Sequence, residues 1–146
     1  MASDNGIPAQ WLADVVAFES GFDASAWNRG GAPAVGLIQF YADRGTGGKF
    51  GTKRIGGTTY RLQDIAQMPA VQQLDLVDAY LREVRPQGGY QNPYEVLAGI
   101  FGGPGLLNDL RSDARRSAAI GDGDISFGGY MRRLGEHAGR EYEPIF

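Results

Sequence analysis

The sequence contains no cysteine and a single histidine, His137. Disulfide bonds and thiolate metal sites are therefore excluded, and one histidine is too few for a typical zinc site. Basic residues are not in excess, because 14 lysines and arginines face 17 aspartates and glutamates, for a formal charge of −3. Nucleic acid is not an expected partner of such a chain. No segment approaches the roughly 20 apolar residues of a membrane-spanning helix, so membrane insertion is not expected.

The first six residues, Met-Ala-Ser-Asp-Asn-Gly, also lack the basic and apolar regions of a secretory signal, so none is expected. Apolar residues make up 42% and charged residues 21% of the 146 residues, as in ordinary globular proteins. We therefore predict one compact domain over residues 1–146. Glycine is abundant, with 23 residues, which predicts extensive loops around a cleft.

The pattern of apolar residues predicts a mainly helical domain, with a glycine-rich cleft and a small β-hairpin. Residues 23–35 are predicted to form an irregular loop, and residues 42–61 a mobile loop or hairpin over one wall of the cleft, with a β-prone run at residues 58–60. Residues 36–40 fit a helix or a strand equally well. The predicted helices are Pro8–Ser20, Pro69–Val84, Pro93–Phe101, Leu106–Ala119 and Tyr130–Glu141.

The helix predicted with most support is Pro69–Val84. Its expected buried stripe consists of apolar residues at helical spacing: Val71, Leu74, Val77, Leu81 and Val84. The third predicted helix is expected to stop at the run Gly102-Gly103-Pro104-Gly105, because glycine and proline interrupt helices.

Glu19 is the most informative residue of the chain. It follows Trp11 and Val15 at successive steps of four residues, so it shares an apolar helical stripe, and Gly21 ends the helix. A carboxyl group in apolar surroundings has a raised pKa and can remain protonated near neutral pH. A protonated carboxylic acid is what the oxygen of a glycosidic bond requires in order to leave. The alternative is an ordinary glutamate at a helix end that reaches solvent.

Several motifs in order resemble the lytic transglycosylase and goose-type lysozyme family (SLT-type domains). They are Glu19-Ser20-Gly21-Phe22, Gly36-Leu37-Ile38-Gln39, the helix Met68–Leu74 and the segment Ala98–Gly105. The resemblance covers residues 7 to 110 and is strongest to phage-encoded, virion-associated members. It implies a lysozyme-like fold and cleavage of the β-1,4 bond between N-acetylmuramic acid and N-acetylglucosamine in peptidoglycan.

In that family one glutamate acts first as acid and then as base, while the muramyl C6 hydroxyl closes a 1,6-anhydro ring. The resemblance assigns this role to Glu19 and implies a supporting hydroxyl at Ser20. Gln39 offers a donor and an acceptor for an N-acetyl group or for the carboxyl group of Glu19. Phe40 and Tyr94 complete the expected substrate-binding residues. No metal or organic cofactor is expected.

The chain departs from the family where a tyrosine and an asparagine usually precede the Gly-Pro-Gly run, because it has Ile100 and Phe101 there. Neither side chain can hydrogen-bond the glutamate or a sugar. Three outcomes are open. Tyr60, Tyr90 or Tyr94 supplies the hydroxyl from another loop; the apolar pair raises the pKa of the glutamate further while glycan binding weakens; or the alignment fails here and activity is reduced or absent.

Direct hydrolysis with two carboxylates is an alternative mechanism, with Asp23 or Asp43 as the second group. Asp23 could equally cap its loop, and Asp43 could pair with Arg44 or Lys49. Aromatic residues near the motifs (Trp27, Phe40, Tyr41) could stack on sugar rings or belong to the core.

A different class of function is a non-catalytic structural or glycan-binding protein of a phage tail or baseplate. The expected location is accordingly a virion, or the host cytoplasm before release. The C-terminal arginines alternate with acidic residues, which indicates a solvated face or a docking surface. They are Arg111, Arg115, Arg116, Arg132, Arg133 and Arg140, with His137 expected at the surface or at a helix cap.

Overall fold

The protein, described here by a computed structural model, is mainly helical with small antiparallel hairpins. The structure describes residues 5–47, 50–112, 121–122 and 125–138. Several residues named in the sequence analysis lie outside this description. They are the predicted helix ends Ala119 and Glu141, the residues Lys49, Arg115, Arg116 and Arg140, and the side chain of His137. The elements in chain order are α1 (Ala9–Ser20), β1 (Ala34–Val35), β2 (Phe40–Tyr41), β3 (Thr52–Ile55), β4 (Thr58–Arg61), α2 (Leu62–Gln67), α3 (Ala70–Glu83), α4 (Pro93–Ser112), β5 (Gly121–Asp122), β6 (Ile125–Ser126) and α5 (Phe127–Ala138).

Helix α1 confirms the first predicted helix with a shift of one residue, because Pro8 is the residue before the first turn rather than its first member. Gly21 ends the helix in the left-handed conformation, with φ 60° and ψ 30°. Its N–H donates to the carbonyl oxygen of Ala17 at 2.8 Å, a common termination that favours glycine. Glu19 therefore lies in the last turn of α1.

Helix α3 confirms the predicted helix, but its buried face is rotated from the expected one. Val77, Leu81 and Val84 are buried as predicted, whereas Val71 is 74% exposed and that assignment was wrong. Gln73, which was not among the residues expected to be buried, is 0% exposed. The physical reason is that the amide of Gln73 is fully used in hydrogen bonds, described below, so its burial leaves no polar atom unpaired.

Helix α4 is interrupted where the glycine and proline run predicts a break. The helix continues through Gly102, and Gly103 alone adopts a non-helical conformation with φ 67° and ψ −159°. Helical structure resumes at Pro104, earlier than the predicted start at Leu106, and proline is well tolerated in a first turn. The kink separates the segment that carries Ile100 and Phe101 from the segment that follows.

The predicted hairpin of residues 42–61 is present as the antiparallel pair β3–β4, whose register places Thr52 opposite Arg61 and Ile55 opposite Thr58. Gly56 and Gly57 form its turn with φ values of 58° and 83°, which a two-residue hairpin turn requires. The hairpin packs on α2 and α3, and its described residues do not line the cleft, so the expected position over the cleft wall was wrong.

Helix α1 packs against both α4 and α5, and one apolar core runs through these helices and the short strands. This places the last turn of α1 between α4, α5 and the loops around β1 and β2. Within the described ranges, no helix combines the length and apolar character needed to cross a membrane.

Candidate functional site

An open cleft of about 1270 Å³ lies at the C-terminal end of α1. Its walls come from the last turn of α1, the loops on either side of β1, the middle of α4 and one residue of α5. The residues that line it are Ala17, Phe18, Glu19, Ser20, Gly21, Asp23, Ala26, Trp27, Asn28, Arg29, Gly30, Ala32, Ala34, Ile38, Gln39, Tyr41, Ile100, Phe101 and Arg133. Both leading motifs of the sequence therefore meet in one cleft.

Glu19 projects into this cleft from α1. The residue keeps some exposure to the cleft, but its carboxyl group makes no hydrogen bond or ion pair with the described part of the chain. Desolvation by the surrounding protein raises the pKa of this carboxyl group from 4.5 to about 8. The partial negative charge at the C-terminal end of α1 acts in the same direction. Glu19 is therefore mainly protonated at neutral pH, as its apolar stripe predicts.

Ile100 and Phe101 line the cleft, partly buried and packed against the core. They place apolar surface in the wall of the cleft that Glu19 enters, where the resemblance would have placed a tyrosine and an asparagine. This arrangement fits the predicted outcome in which the apolar pair raises the pKa of Glu19 further while glycan binding weakens, and that outcome stays a prediction. Tyr90 does not compensate, because its buried hydroxyl donates to the carbonyl oxygen of Leu81 at 2.7 Å.

Ser20 lies next to Glu19 in the cleft, but its hydroxyl is directed to the backbone. Its oxygen lies 3.1 Å from the carbonyl oxygen of Val16 and 2.9 Å from that of Leu37, and the single hydroxyl hydrogen is shared between these two acceptors. The second contact joins the end of α1 to the turn at residues 36–39. Ser20 thus fixes the helix end that carries the acid relative to the facing loop, which agrees with a supporting role.

Gln39 lines the cleft from the turn between β1 and β2, as the sequence predicts. Its backbone has a φ of 53°, which is uncommon for a residue other than glycine. The side-chain amide nitrogen donates to the carbonyl oxygens of Ala26, at 2.9 Å, and Gly36, at 3.1 Å. Both N–H groups are therefore used, and the amide oxygen is the atom left to accept a hydrogen bond from a ligand.

The buried side chain of Gln73 on α3 holds the backbone of the cleft-lining turn in place, a role that sequence analysis missed. Its amide oxygen accepts the N–H of Leu37 at 2.7 Å, while its nitrogen donates to the carbonyl oxygens of Ala24, at 2.6 Å, and Ile65, at 2.8 Å. Three separate chain segments are joined through one buried side chain. Gln73 was assigned to neither face of the helix from the sequence, and its residue type gave no signal of this role.

Gly36 leaves the space that the buried amide of Gln73 needs for these hydrogen bonds. Its φ is 91°, and a Cβ atom at this position would lie 2.5 Å from the amide oxygen of Gln73. The left-handed conformation and the close approach both favour glycine. The cleft-lining turn therefore depends on a small residue above a buried amide.

Phe40 and Tyr94 were expected to bind substrate, and the structure places both in the core instead. Phe40 is 2% exposed and packs edge-on against Tyr80, with ring centroids 6.0 Å apart. Tyr94 is likewise buried, and neither residue lines the cleft. Successive side chains of a strand point in opposite directions, so the burial of Phe40 turns Tyr41 outward. Tyr41 is 47% exposed and lines the cleft.

The two candidates for a second catalytic carboxylate, Asp23 and Asp43, lie in different places. Asp23 lines the cleft and accepts hydrogen bonds from the backbone N–H, at 2.9 Å, and the hydroxyl, at 2.7 Å, of Ser25, which lower its pKa. Asp43 does not line the cleft and instead bonds Lys53, at 3.1 Å, and the N–H of Arg54, at 2.7 Å. Lys53 is thus an ion-pair partner of Asp43, whereas the predicted pairing with Arg44 is not formed and Lys49 lies outside the described residues. Asp43 stabilises the hairpin, and its candidacy as a second catalytic group was wrong.

Three polar residues of the cleft were not among the predicted site residues: Asn28, Arg29 and Arg133. Arg133 had been assigned with the other C-terminal arginines to a solvated face or a docking surface, and only the packing of α5 brings it to the cleft. The described residues contain no group of three or more histidine, aspartate or glutamate side chains that could hold a metal ion.

A comparison of the whole chain with family models, with curated proteins and with solved structures finds no match. The candidate function must therefore be argued from the residues of the cleft.

Proposed function

We propose that this protein is a peptidoglycan-cleaving glycosidase that acts as a lytic transglycosylase, with Glu19 as its acid and base. The observation that carries the proposal is the carboxyl group of Glu19, which enters a large open cleft without a polar partner in the described chain and has a pKa of about 8. Such a group holds a proton at neutral pH and lies where a polymer can reach it.

In the first step Glu19 donates its proton to the glycosidic oxygen between N-acetylmuramic acid and N-acetylglucosamine. The C1–O bond breaks, the N-acetylglucosamine end leaves as an alcohol, and positive charge develops at the muramyl C1. The carboxylate formed at Glu19 lies in apolar surroundings, so it is a stronger base than a solvated carboxylate. It also stabilises the developing positive charge electrostatically.

In the second step the Glu19 carboxylate takes the proton of the muramyl C6 hydroxyl, whose oxygen attacks C1. This closes a 1,6-anhydro ring and returns Glu19 to its protonated form, without consumption of water. A pKa near 8 suits a group that must both donate and accept a proton near neutral pH. The predicted single-glutamate chemistry therefore needs no second carboxylate.

Hydrolysis remains the competing chemistry of the same site, with Asp23 as the group that positions water. Of the described residues that line the cleft, Asp23 alone carries another carboxyl group beside Glu19. Its oxygen Oδ1 already accepts two hydrogen bonds from Ser25, which favours a role in shaping the loop. We therefore favour the anhydro product over the hydrolytic one.

Substrate contacts are proposed for Gln39, Trp27 and Tyr41. The free amide oxygen of Gln39 would accept the N–H of an N-acetyl group, and both aromatic side chains line the cleft, where they could stack on sugar faces. Ser20 is assigned to positioning, since its hydroxyl joins α1 to the backbone of Leu37.

The decisive experiment is mass spectrometry of fragments released from purified peptidoglycan by the wild type and by Glu19→Gln. Glu136→Gln is the matched control, because Glu136 is exposed on α5 and does not line the cleft. We expect the wild type and the control to release fragments one water lighter than hydrolysis products. Glu19→Gln should release none, although its unfolding transition should show that it is folded and stable. Turnover by Glu19→Gln at the wild-type rate would refute the assignment, and free reducing ends would transfer attention to Asp23.

One observation favours a second candidate, a non-catalytic glycan-binding or structural protein of a phage tail. Ile100 and Phe101 form part of the cleft wall and cannot orient the carboxyl group of Glu19 by hydrogen bonds. A protein of this kind would sediment with purified peptidoglycan sacculi and release no soluble fragments from them. Phage association is a separate part of the proposal, and detection of the protein in purified phage particles tests it independently of catalysis.

A further inference from the structure

Among the described residues, two arginines line the cleft, and neither has a carboxylate partner in the described part of the chain. Arg29 lies in the loop between α1 and β1, and Arg133 lies on α5. Both are exposed, and neither makes an ion pair or a side-chain hydrogen bond within the described part of the chain. Other arginines do pair with acidic side chains in this protein: Arg61 with Asp64, Arg82 with Asp78 and Arg111 with Glu95.

The packing of α5 selects Arg133 for the cleft. Met131 and Leu134 are buried and attach this helix to the core, which fixes its rotation. Arg133 then lines the cleft, whereas the adjacent Arg132 is exposed and does not. The two arginines are adjacent in sequence, but only Arg133 lines the cleft, so Arg132 is a matched control for it in experiments.

The loop that carries Arg29 is held by Asn28. The side-chain oxygen of Asn28 accepts the N–H of Gly30 at 2.9 Å and of Ala32 at 3.3 Å, which closes a turn around Arg29. The guanidinium group of Arg29 therefore belongs to a loop with a defined backbone.

The described residues that line the cleft carry a net charge opposite in sign to that of the chain. At neutral pH Glu19 is mainly protonated and Asp23 is ionised, so the described cleft residues carry two positive charges against one negative charge. The chain as a whole has a formal charge of −3. A positive cleft in an acidic protein indicates an anionic ligand.

We propose that Arg29 and Arg133 bind carboxylates of the substrate, so that the cleft takes an anionic glycan in preference to a neutral one. This inference rests on the proposed function. The peptide stems of peptidoglycan carry free carboxylates beside the glycan backbone, and a guanidinium group binds a carboxylate through two parallel hydrogen bonds. The arginines would thus select a strand that bears peptides over a neutral polysaccharide with the same β-1,4 linkage.

The test compares native sacculi with sacculi whose free carboxyl groups have been converted to neutral amides by a carbodiimide and methylamine. The test protein is Arg29→Gln/Arg133→Gln, and the control of equal net charge is Arg44→Gln/Arg132→Gln, whose residues are exposed and lie outside the cleft lining. We expect the wild type and the control to cleave native sacculi about tenfold faster than neutralised sacculi, as one charge-assisted contact allows. The test protein should cleave both at the slower rate.

Equal rates for the test and control proteins on both substrates would overturn this proposal and leave the proposed function standing. Failure of the wild type to release fragments from either substrate would instead count against the proposed function. In that case binding separates the two ideas. Glu19→Gln should sediment with native sacculi more strongly than with neutralised ones at low salt, and the added substitutions Arg29→Gln and Arg133→Gln should abolish the difference.

Discussion

Glu19 should make the folded protein less stable as the pH rises, and Glu19→Gln should remove that dependence. The native carboxyl group has a pKa of about 8, against 4.5 without the protein environment. Between these values the native state keeps a proton that the unfolded chain has lost. The free energy of unfolding therefore falls as pH rises from about 4.5 to about 8, and it levels off above that range.

The size of the fall in the free energy of unfolding follows from the difference between the two pKa values. At about 1.4 kcal/mol per pH unit the upper limit is about 5 kcal/mol, and the open cleft reduces it to roughly 2–4 kcal/mol. Glutamine is neutral at every pH, so Glu19→Gln should be as stable as the wild type near pH 5 and more stable near pH 9. Activity of the wild type should decline over the same upper range, as the acid loses its proton.

The assay is urea unfolding of the wild type, Glu19→Gln and the control Glu136→Gln at pH 5, 7 and 9. The wild type and Glu19→Gln share every other titrating group, so the difference between their unfolding free energies isolates Glu19. The control should follow the wild type throughout. Parallel curves for the wild type and Glu19→Gln across this range would refute the reasoning, since they would mean that Glu19 is ionised in the native cleft.

Three further predictions concern the loop and the aromatic residues. Gln73→Met should lower the free energy of unfolding by about 3–5 kcal/mol, because it leaves the N–H of Leu37 and the carbonyl group of Ala24 unpaired, while the carbonyl group of Ile65 keeps the N–H of Met68 as its partner. Gln72→Met on the exposed face of α3 should change the same free energy by less than about 0.5 kcal/mol, and equal values for the two variants in urea unfolding would disprove the bracing role of Gln73. Gly36→Ala should lower the free energy of unfolding by about 2–4 kcal/mol, since the φ of Gly36 is unfavourable for alanine and the added Cβ would meet the Gln73 amide. An unchanged free energy would show that the turn is not constrained. Phe40→Ala should lower stability by about 3–5 kcal/mol through loss of core packing, whereas Tyr41→Ala should leave the melting temperature within a few degrees and weaken sedimentation with peptidoglycan; unchanged sedimentation would remove Tyr41 from the proposed site.

The elements with strong local signals could be predicted from the sequence. Gly21 ends α1 because a left-handed residue is needed there, and Gly56 and Gly57 form the hairpin turn for the same reason. The break in α4 follows from its glycine and proline run, although only the structure locates it at Gly103. The raised pKa of Glu19 was also predicted from spacing, because an acidic residue on an apolar stripe is informative without any tertiary contact, whereas its catalytic role is a prediction of the resemblance.

The faces of elements were harder to predict, because burial depends on what packs against them. Val71 fits the helical stripe of α3 and is exposed, while Gln73 is buried because distant backbone groups satisfy its amide. Phe40 and Tyr41 are both aromatic neighbours in one strand, and composition cannot say which of them faces the core. The lysozyme-like arrangement of the helices remains a prediction of the resemblance.

The sequence by itself determined the helix that carries Glu19, the small residues at its end and in the facing turn, and the apolar stripe of that helix, which favours a protonated acid. These are properties of residues close together in the chain, where spacing and backbone preference are sufficient. Only the tertiary structure decided that Gln73 holds the turn at Leu37, that Asp43 belongs to the hairpin, and that Arg133 faces the cleft. Those outcomes join residues far apart in sequence, so they depend on how the helices pack and on which polar groups find partners there.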